Sequence, residues 1–186
     1  TIINVIRNQI IHSSLINVIK HGVEFENGVS LKLSYKKNAT NFNEEANRLY
    51  NLNTLSVMEE VYHKEGERID LVIFLNGLAI FAFELKVDSQ KVGRAINQWK
   101  TERDHSTALT SFKSGVLVAF AMDLNDVYMC TNLCVPDPFF MPFNKGKGKD
   151  GAGNPEVIGN EGFKVQYMWD EILKKDSVME FLYDFV

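Results

Sequence analysis

The fold is decided by residues 69–86, IDLVIFLNGLAIFAFELK, in which two apolar runs flank an Asn-Gly pair at positions 76–77. Both runs have the length of a strand and are rich in Val, Ile, Leu and Phe, and Asn-Gly between such runs is a strong signal for a hairpin turn. Three charged residues interrupt the runs: Asp70, Glu84 and Lys86. The stretch therefore predicts two antiparallel strands that carry ionisable side chains in an otherwise apolar setting.

The register of this hairpin determines whether the charged side chains meet. Residues two apart in a strand share a face, so Glu84 and Lys86 point the same way. A strict two-residue loop would set Asp70 opposite Phe83 and separate it from them. A three-residue loop over 76–78 with a bulge would set Asp70 opposite Glu84, and it is a common hairpin geometry. We predict this second register, or an equivalent bulge.

Two carboxylates and a lysine in this arrangement suit metal-dependent phosphate chemistry. Asp70 and Glu84 would supply oxygen ligands to Mg²⁺, which retains several waters and also binds phosphate oxygens. Lys86 would orient an attacking water and neutralise charge that develops on the phosphate. The alternative is an ion pair on a solvated strand face, because the spacing D-x13-E-x-K is a loose pattern by itself. The apolar surroundings favour the metal site, since buried carboxylates without partners are costly.

The remainder of the chain predicts helices around a central sheet. Apolar periodicity predicts one amphipathic helix or two short ones over 1–20, short strands over 21–36, a helix over 43–50 and a strand over 55–62. After the hairpin it predicts a helix over 95–104, strands over 115–122 and 127–130, a long surface loop over 136–162, and helices over 169–175 and 177–186 with Asp176 or Ser177 as a cap. We expect a single α/β (α+β) domain over residues 1–186, with a central mixed sheet flanked by helices.

Composition limits the possible functions. No stretch approaches the roughly 20 apolar residues that a membrane helix needs, so no membrane partner is expected. The two cysteines, Cys130 and Cys134, predict a reducing, cytoplasmic setting, and ordinary thiols are favoured over zinc because no second ligand pair lies nearby. The formal net charge of −4 has the wrong sign for binding nucleic acid by bulk charge. Any contact with DNA must therefore be local or shared with other domains.

Several stretches together resemble the N-terminal nuclease domain of the R (restriction) subunit of type I restriction-modification enzymes. They are residues 68–78 and 83–86 in the hairpin, 95–104 in the next helix, 126–129, and 143–146, 151–155 and 176–177 toward the end. The resemblance runs from about Asn43 to the end of the chain, and the first forty residues add little to it.

The resemblance implies a PD-(D/E)xK, restriction-endonuclease-like fold in which Asp70, Glu84 and Lys86 are catalytic, with Asp70 and Glu84 as ligands of Mg²⁺. The implied activity is hydrolysis of unmodified double-stranded DNA in a complex with methyltransferase (modification) and specificity subunits. The family's ATP-driven translocase would follow Val186. The chain would then be a fragment of a longer protein.

The resemblance also implies a supporting role for Gln98. In this family a Gln on the helix after the active-site strand belongs to a Q-x3-Y motif, and Gln98 matches that Gln. Glu102 stands where the Tyr is expected, and Trp99 and Tyr128 are candidates to replace the Tyr. The segment after Lys86 is shorter than the family pattern leads us to expect.

Two other functions stay open: a nuclease-like docking domain without catalysis, and a stand-alone repair nuclease. Retention of all three charged residues disfavours the first, and the acidic balance disfavours the second. Among weaker candidates, His63 and His105 are interpreted as core or surface histidines rather than bases, and Glu44 and Glu45 as a solvated helix face rather than metal ligands. Residues 146–151 lack the order of a phosphate loop, so they are interpreted as a flexible connection whose lysines could contact DNA phosphates.

Overall fold

The structure is a computed structural model that describes residues 1–40, 42–87, 90–148, 151–157 and 162–185. Its α-helices are α1 (Ile2–His12), α2 (Leu15–His21), α3 (Glu44–Asn51), α4 (Val92–Thr101) and α5 (Lys175–Glu180), and π-helical segments Met168–Ile172 and Phe181–Phe185 flank α5. The strands are β1 (Val23–Glu24), β2 (Ser30–Leu31), β3 (Leu55–Lys64), β4 (Glu67–Leu75), β5 (Leu78–Leu85), β6 (Val118–Met122), β7 (Val127–Cys130) and β8 (Met141–Pro142). No described helix is long and apolar enough to cross a membrane.

Six strands form a mixed central sheet in the order β3-β4-β5-β6-β7-β8, and β1 pairs with β2 separately. β5 and β6 run parallel, whereas the other neighbours in the large sheet are antiparallel. Parallel neighbours need a crossover connection, and α4 lies in the one between β5 and β6. The predicted mixed α/β sheet with flanking helices is confirmed, and it is compatible with a restriction-endonuclease-like fold.

One face of β5 and β6 carries large aromatic side chains. Phe83 of β5 stacks on Phe120 of β6 with ring centroids 4.8 Å apart, and Phe81 meets Phe120 edge to face. Buried residues of the C-terminal helical region, including Val178 and Leu182, complete this core cluster. Alternate side chains of β5 therefore point to the opposite face of the sheet, which has a different composition.

On the opposite face, β5 and β6 carry small side chains. Ala82, Ala119 and Ala121 are buried there with Trp99 of α4. The Trp99 indole Nε1 donates a hydrogen bond to the carbonyl oxygen of Phe120, 2.9 Å away, so α4 is fixed directly on the sheet. Because the side chains of the sheet are small on this face, there is room beneath the helix for a longer side chain of β5.

The central hairpin turns through two residues and not three. Leu75 pairs with Leu78, and Asn76 and Gly77 between them have φ values of 50° and 85°. Positive φ at both central residues is the requirement of a type I′ turn, which matches the twist of the flanking strands. The predicted three-residue loop is therefore wrong.

A β-bulge restores the predicted pairing all the same. The register between β4 and β5 shifts at the step 73–74, and beyond it Leu71 pairs with Phe83. Continuing this register by one residue sets Asp70 opposite Glu84. The sequence prediction allowed an equivalent bulge, and that is the geometry found.

Two helices begin at residues other than the predicted ones. α4 begins at Val92, before the predicted residue 95, because the Asp123 carboxylate accepts a hydrogen bond from the Val92 amide at 2.7 Å. α5 has Lys174 as its N-cap, so the predicted cap at Asp176 or Ser177 is wrong. Asp176 instead accepts a hydrogen bond from the Tyr50 hydroxyl.

The ends of the chain follow the predictions in outline. The N-terminal region forms two short helices, the second capped by the Ser14 side chain. The predicted loop over 136–162 is irregular in its described part apart from the two residues of β8. Residues 149, 150, 158–161 and 186, on which parts of these predictions fall, lie outside the described residues, as do 88 and 89 in the segment after Lys86.

Replacing Gly77 by Ala should destabilise the protein by about 1–2 kcal/mol, because an L-residue at a φ of 85° is strained even where no atom crowds its Cβ. Gly93 is the matched control, since it lies in α4 without a positive φ and with open space around its Cβ. Gly93→Ala should stabilise by about 0.5 kcal/mol. Urea unfolding of both variants tests this, and equal effects would contradict the assigned turn.

Candidate active site

Three predicted site residues come together at one end of the hairpin. Asp70 belongs to β4, Glu84 lies near the end of β5, and Lys86 follows that strand. The Leu85 amide donates a hydrogen bond to Asp70 Oδ2 at 2.7 Å, which joins the two strands at this level. The Lys86 amide donates to the carbonyl oxygen of Met122 at 2.9 Å, so the segment stays attached to β6. The backbone therefore holds all three residues at the centre of the sheet.

The Lys86 ammonium lies near both carboxylates. Its Nζ is 3.6 Å from Asp70 Oδ2 and 3.9 Å from Glu84 Oε2, and it donates a hydrogen bond to the Leu85 carbonyl oxygen at 2.9 Å. The Lys86 side chain is largely buried, so this positive charge is screened little by solvent. The predicted juxtaposition of the three side chains is present.

Glu84 is a fully buried carboxylate with unequal oxygens. Arg103 Nε donates a hydrogen bond to Oε1 at 2.7 Å, whereas Oε2 has no hydrogen-bond partner among the described residues. Burial raises the pKa of Glu84 to about 7; the hydrogen bond from Arg103 opposes this increase, and the nearby charge of Asp70 adds to it. Glu84 therefore changes its charge near neutral pH, which is typical of groups in functional sites.

Arg103 is the residue that sequence reasoning missed at this site. Its side chain is only 9% exposed, and it directly follows Glu102, the C-cap residue of α4. The sequence signal was indirect: a carboxylate in an apolar run requires a cationic or hydrogen-bonding partner. Nothing in the spacing between Glu84 and Arg103 indicates which cation supplies it.

Three residues relevant to the family's Q-x3-Y motif, Gln98, Trp99 and Glu102, lie on α4 or directly after it. Gln98 is partly buried, and no hydrogen bond of its side chain occurs within the described ranges; its supporting role stays a prediction. Glu102 pairs with Arg94, and this contact holds the pKa of Glu102 below its ordinary value, with Arg103 and Lys86 contributing. Trp99 is committed to the core through its bond to the Phe120 carbonyl.

The weaker candidates have other contacts. The side chain of His63 is 1% exposed, with Nδ1 3.1 Å from the Thr107 hydroxyl and Nε2 3.2 Å from Glu67, and desolvation lowers its pKa. His105 Nε2 is 2.7 Å from the Trp99 carbonyl oxygen.

The remaining acidic and basic candidates are on the surface. Glu44 and Glu45 are exposed on α3, where Glu45 pairs with Arg48. In the segment 146–151, Lys147 pairs with Glu156, and positions 149 and 150 lie outside the described residues.

The donor set fits a divalent cation that prefers oxygen. Asp70 and Glu84 are hard oxygen donors, and the buried Oε2 of Glu84 lacks the partner that a cation would provide. Within the part of the chain that the structure describes, no cluster of three or more His, Cys, Asp or Glu side chains could hold a metal. Two protein carboxylates suit Mg²⁺ or Mn²⁺, which keep several water ligands, better than a closed structural site.

Comparison with known proteins agrees with the resemblance found in the sequence. The family model described as type I restriction enzyme R protein N terminus matches residues 7–136. The match contains every site residue above and reaches into the first forty residues, while the segments 143–146, 151–155 and 176–177 lie beyond it. No curated protein matches the chain significantly.

The contribution of Glu84 to the stability of the protein without divalent metal should fall as the pH rises from about 5 to about 8, whereas the lowered pKa of His63 acts in the opposite direction. Glu84 has a pKa of about 7 in the folded state against 4.5 as its ordinary value, so the folded state holds this proton more tightly. The stability that the proton contributes is present below about pH 4.5 and is lost as the pH passes through about 7, amounting to about 3 kcal/mol at most.

Urea unfolding in EDTA across this pH range measures the slope. Glu84→Gln should flatten it, whereas Glu45→Gln, at an exposed position, should leave it unchanged. An unaltered slope in Glu84→Gln would contradict the assignment of this titration to Glu84.

Proposed function

The chain belongs to the family formed by the N termini of type I restriction enzyme R proteins, and from this membership we propose that it is the endonuclease part of such a subunit. Its substrate would be double-stranded DNA, and its reaction hydrolysis of a phosphodiester bond. The observation that carries the proposal is the meeting of Asp70, Glu84 and Lys86 at the end of β5, with Glu84 fully buried and one of its oxygens without a hydrogen bond. Burial of such a group is unfavourable in free energy unless a bound ligand compensates it, and groups of this kind cluster at functional sites.

Asp70 and Glu84 would hold Mg²⁺. The chemistry supplied by a bound Mg²⁺ is Lewis-acid activation of the scissile phosphate and of a water molecule. Both carboxylates are prepared for this role by their contacts: the Leu85 amide orients Asp70, and Arg103 engages Oε1 of Glu84. Little rearrangement would therefore be needed when a cation binds.

Lys86 would act on the reacting groups rather than on the cation. Its ammonium lies within 4 Å of both carboxylates and is largely buried, so its charge acts with little screening. In this position it would orient the attacking water and stabilise negative charge that develops on the phosphate oxygens. It cannot accept the proton of the water while it is itself protonated.

The partners of the proposed enzyme follow from the family. Double-stranded DNA would be the substrate, and the methyltransferase (modification) and specificity subunits would complete the complex. ATP would be used by the motor domains of the R subunit to translocate DNA. Residues 146–151 do not have the order of a phosphate loop, so they are not proposed as an ATP site. Recognition of the DNA sequence would then belong to the specificity subunit.

Mn²⁺ titration followed by water-proton relaxation tests the metal site. Asp70→Asn and Glu84→Gln should each weaken binding at least about tenfold, because each removes one of two protein ligands. Glu45→Gln is the matched control, since Glu45 is an exposed carboxylate paired with Arg48 on α3. Equal binding by all four proteins would mean that the two carboxylates are structural.

Lys86→Ala should separate metal binding from catalysis. In the assembled restriction enzyme, cleavage of plasmid DNA should fall by about 100-fold or more, as for loss of a charge-stabilising group. Binding of Mn²⁺ should persist because both carboxylates remain. Lys32→Ala, at an exposed position, should cleave normally. Normal cleavage by folded Lys86→Ala would contradict the proposed role.

A further inference from the structure

The ion pair between Arg103 and Glu84 is almost removed from solvent. The side chain of Glu84 is 0% exposed and that of Arg103 is 9% exposed, with Arg103 Nε 2.7 Å from Glu84 Oε1. A surface ion pair exchanges readily with water, whereas breaking a buried pair leaves an uncompensated charge. This contact therefore fixes the orientation of the carboxylate.

The contact distinguishes the two oxygens of Glu84. Oε1 is engaged by Arg103, and Oε2 is left without a hydrogen bond on the side of Lys86, whose Nζ is 3.9 Å away. The same Nζ is 3.6 Å from Asp70 Oδ2, so the unengaged oxygen and the second carboxylate lie beside the same ammonium group. The terminal torsion of a glutamate is soft, and among the described residues the hydrogen bond from Arg103 is the closest restraint on it, since the ion pair of Oε2 with Lys86 is longer at 3.9 Å.

Arg103 itself is held from outside the site. The next residue, Asp104, makes one contact with a residue of β3 and one with a residue of β4. Its amide donates to Glu67 Oε2 at 2.9 Å, and its carboxylate pairs with Lys64 at 2.9 Å. On the other side, Trp99 fixes α4 on the sheet. The backbone that carries Arg103 is thus anchored independently of Glu84.

We propose that Arg103 is a positioning residue, which turns Oε2 of Glu84 toward Asp70 so that the two carboxylates can share a divalent cation. This inference rests on the proposed function. The opposite role is competition, in which Arg103 occupies Glu84 and keeps a cation out. The two roles predict opposite effects of removing the guanidinium.

The test is Mn²⁺ titration by water-proton relaxation on the full chain, with folding checked by circular dichroism. Arg103→Gln should bind Mn²⁺ about 10- to 100-fold more weakly, the usual loss when a group that orients a metal ligand is removed. Arg103→Lys should fall between Arg103→Gln and the unaltered protein, because it keeps the charge without the planar donor geometry. Arg48→Gln is the control, since Arg48 pairs with a carboxylate on the exposed surface of α3.

A second measurement separates positioning from catalysis. In the assembled enzyme, saturating Mn²⁺ should restore most of the cleavage rate of Arg103→Gln, because Asp70, Glu84 and Lys86 are retained. Lys86→Ala should stay inactive at every Mn²⁺ concentration. A defect of Arg103→Gln that Mn²⁺ does not relieve would overturn the positioning role.

The outcomes also distinguish this inference from the proposed function. Unchanged or tighter Mn²⁺ binding by folded Arg103→Gln overturns the positioning role, and tighter binding supports competition. If Arg103→Gln does not fold, Arg103→Lys decides, and binding equal to that of the unaltered protein overturns it. Normal Mn²⁺ binding by Asp70→Asn and Glu84→Gln, or no binding by the unaltered protein, overturns both proposals.

Discussion

The site depends on one physical constraint: a carboxylate, Glu84, has to be kept inside a sheet. Burial of a charge without partners is unfavourable by several kcal/mol, so the surrounding structure must supply compensation. The small side chains of Ala82, Ala119 and Ala121 line the face of the sheet that α4 covers. Close approach of α4 then places Arg103, two residues beyond the end of this helix, within hydrogen-bond distance of Glu84. The small side chains of the sheet thus permit the approach of α4 that supplies Glu84 with its cationic partner.

The hairpin shows how far the sequence alone can lead. The two apolar runs and the Asn-Gly pair correctly predict both strands and the neighbourhood of Asp70 and Glu84. The prediction placed the extra residue in the turn, whereas the structure has it within β5, where Ile80 lies between the two registers. Local preference determined the turn, because Asn-Gly favours positive φ at both positions. Beyond the bulge, Phe81 and Phe83 pack against Phe120 of β6, a tertiary contact that no local pattern reveals.

Contacts between distant segments explain the other differences. The start of α4 depends on Asp123, which follows β6 and caps the Val92 amide across the sheet. The partner of Glu84 depends on where α4 ends and on how Asp104 is anchored. The sequence can show that a buried carboxylate needs a cation, but several lysines and arginines are available. Only the assembled sheet selects Arg103, while the supporting role of Gln98, whose side chain makes no hydrogen bond within the described residues, stays a prediction.

The acidic balance of the chain is compatible with the proposed substrate once charge is counted locally. Interactions between exposed charges are screened over about 10 Å, so a net charge of −4 over the chain says little about a buried site. Asp70 and Glu84 face Lys86 and Arg103, so these four groups balance when all are ionised. Under the proposed function a divalent cation would add two positive charges to a site in which the protein charges balance. A phosphodiester would then be attracted at the point of reaction, and no basic surface over the whole domain would be required.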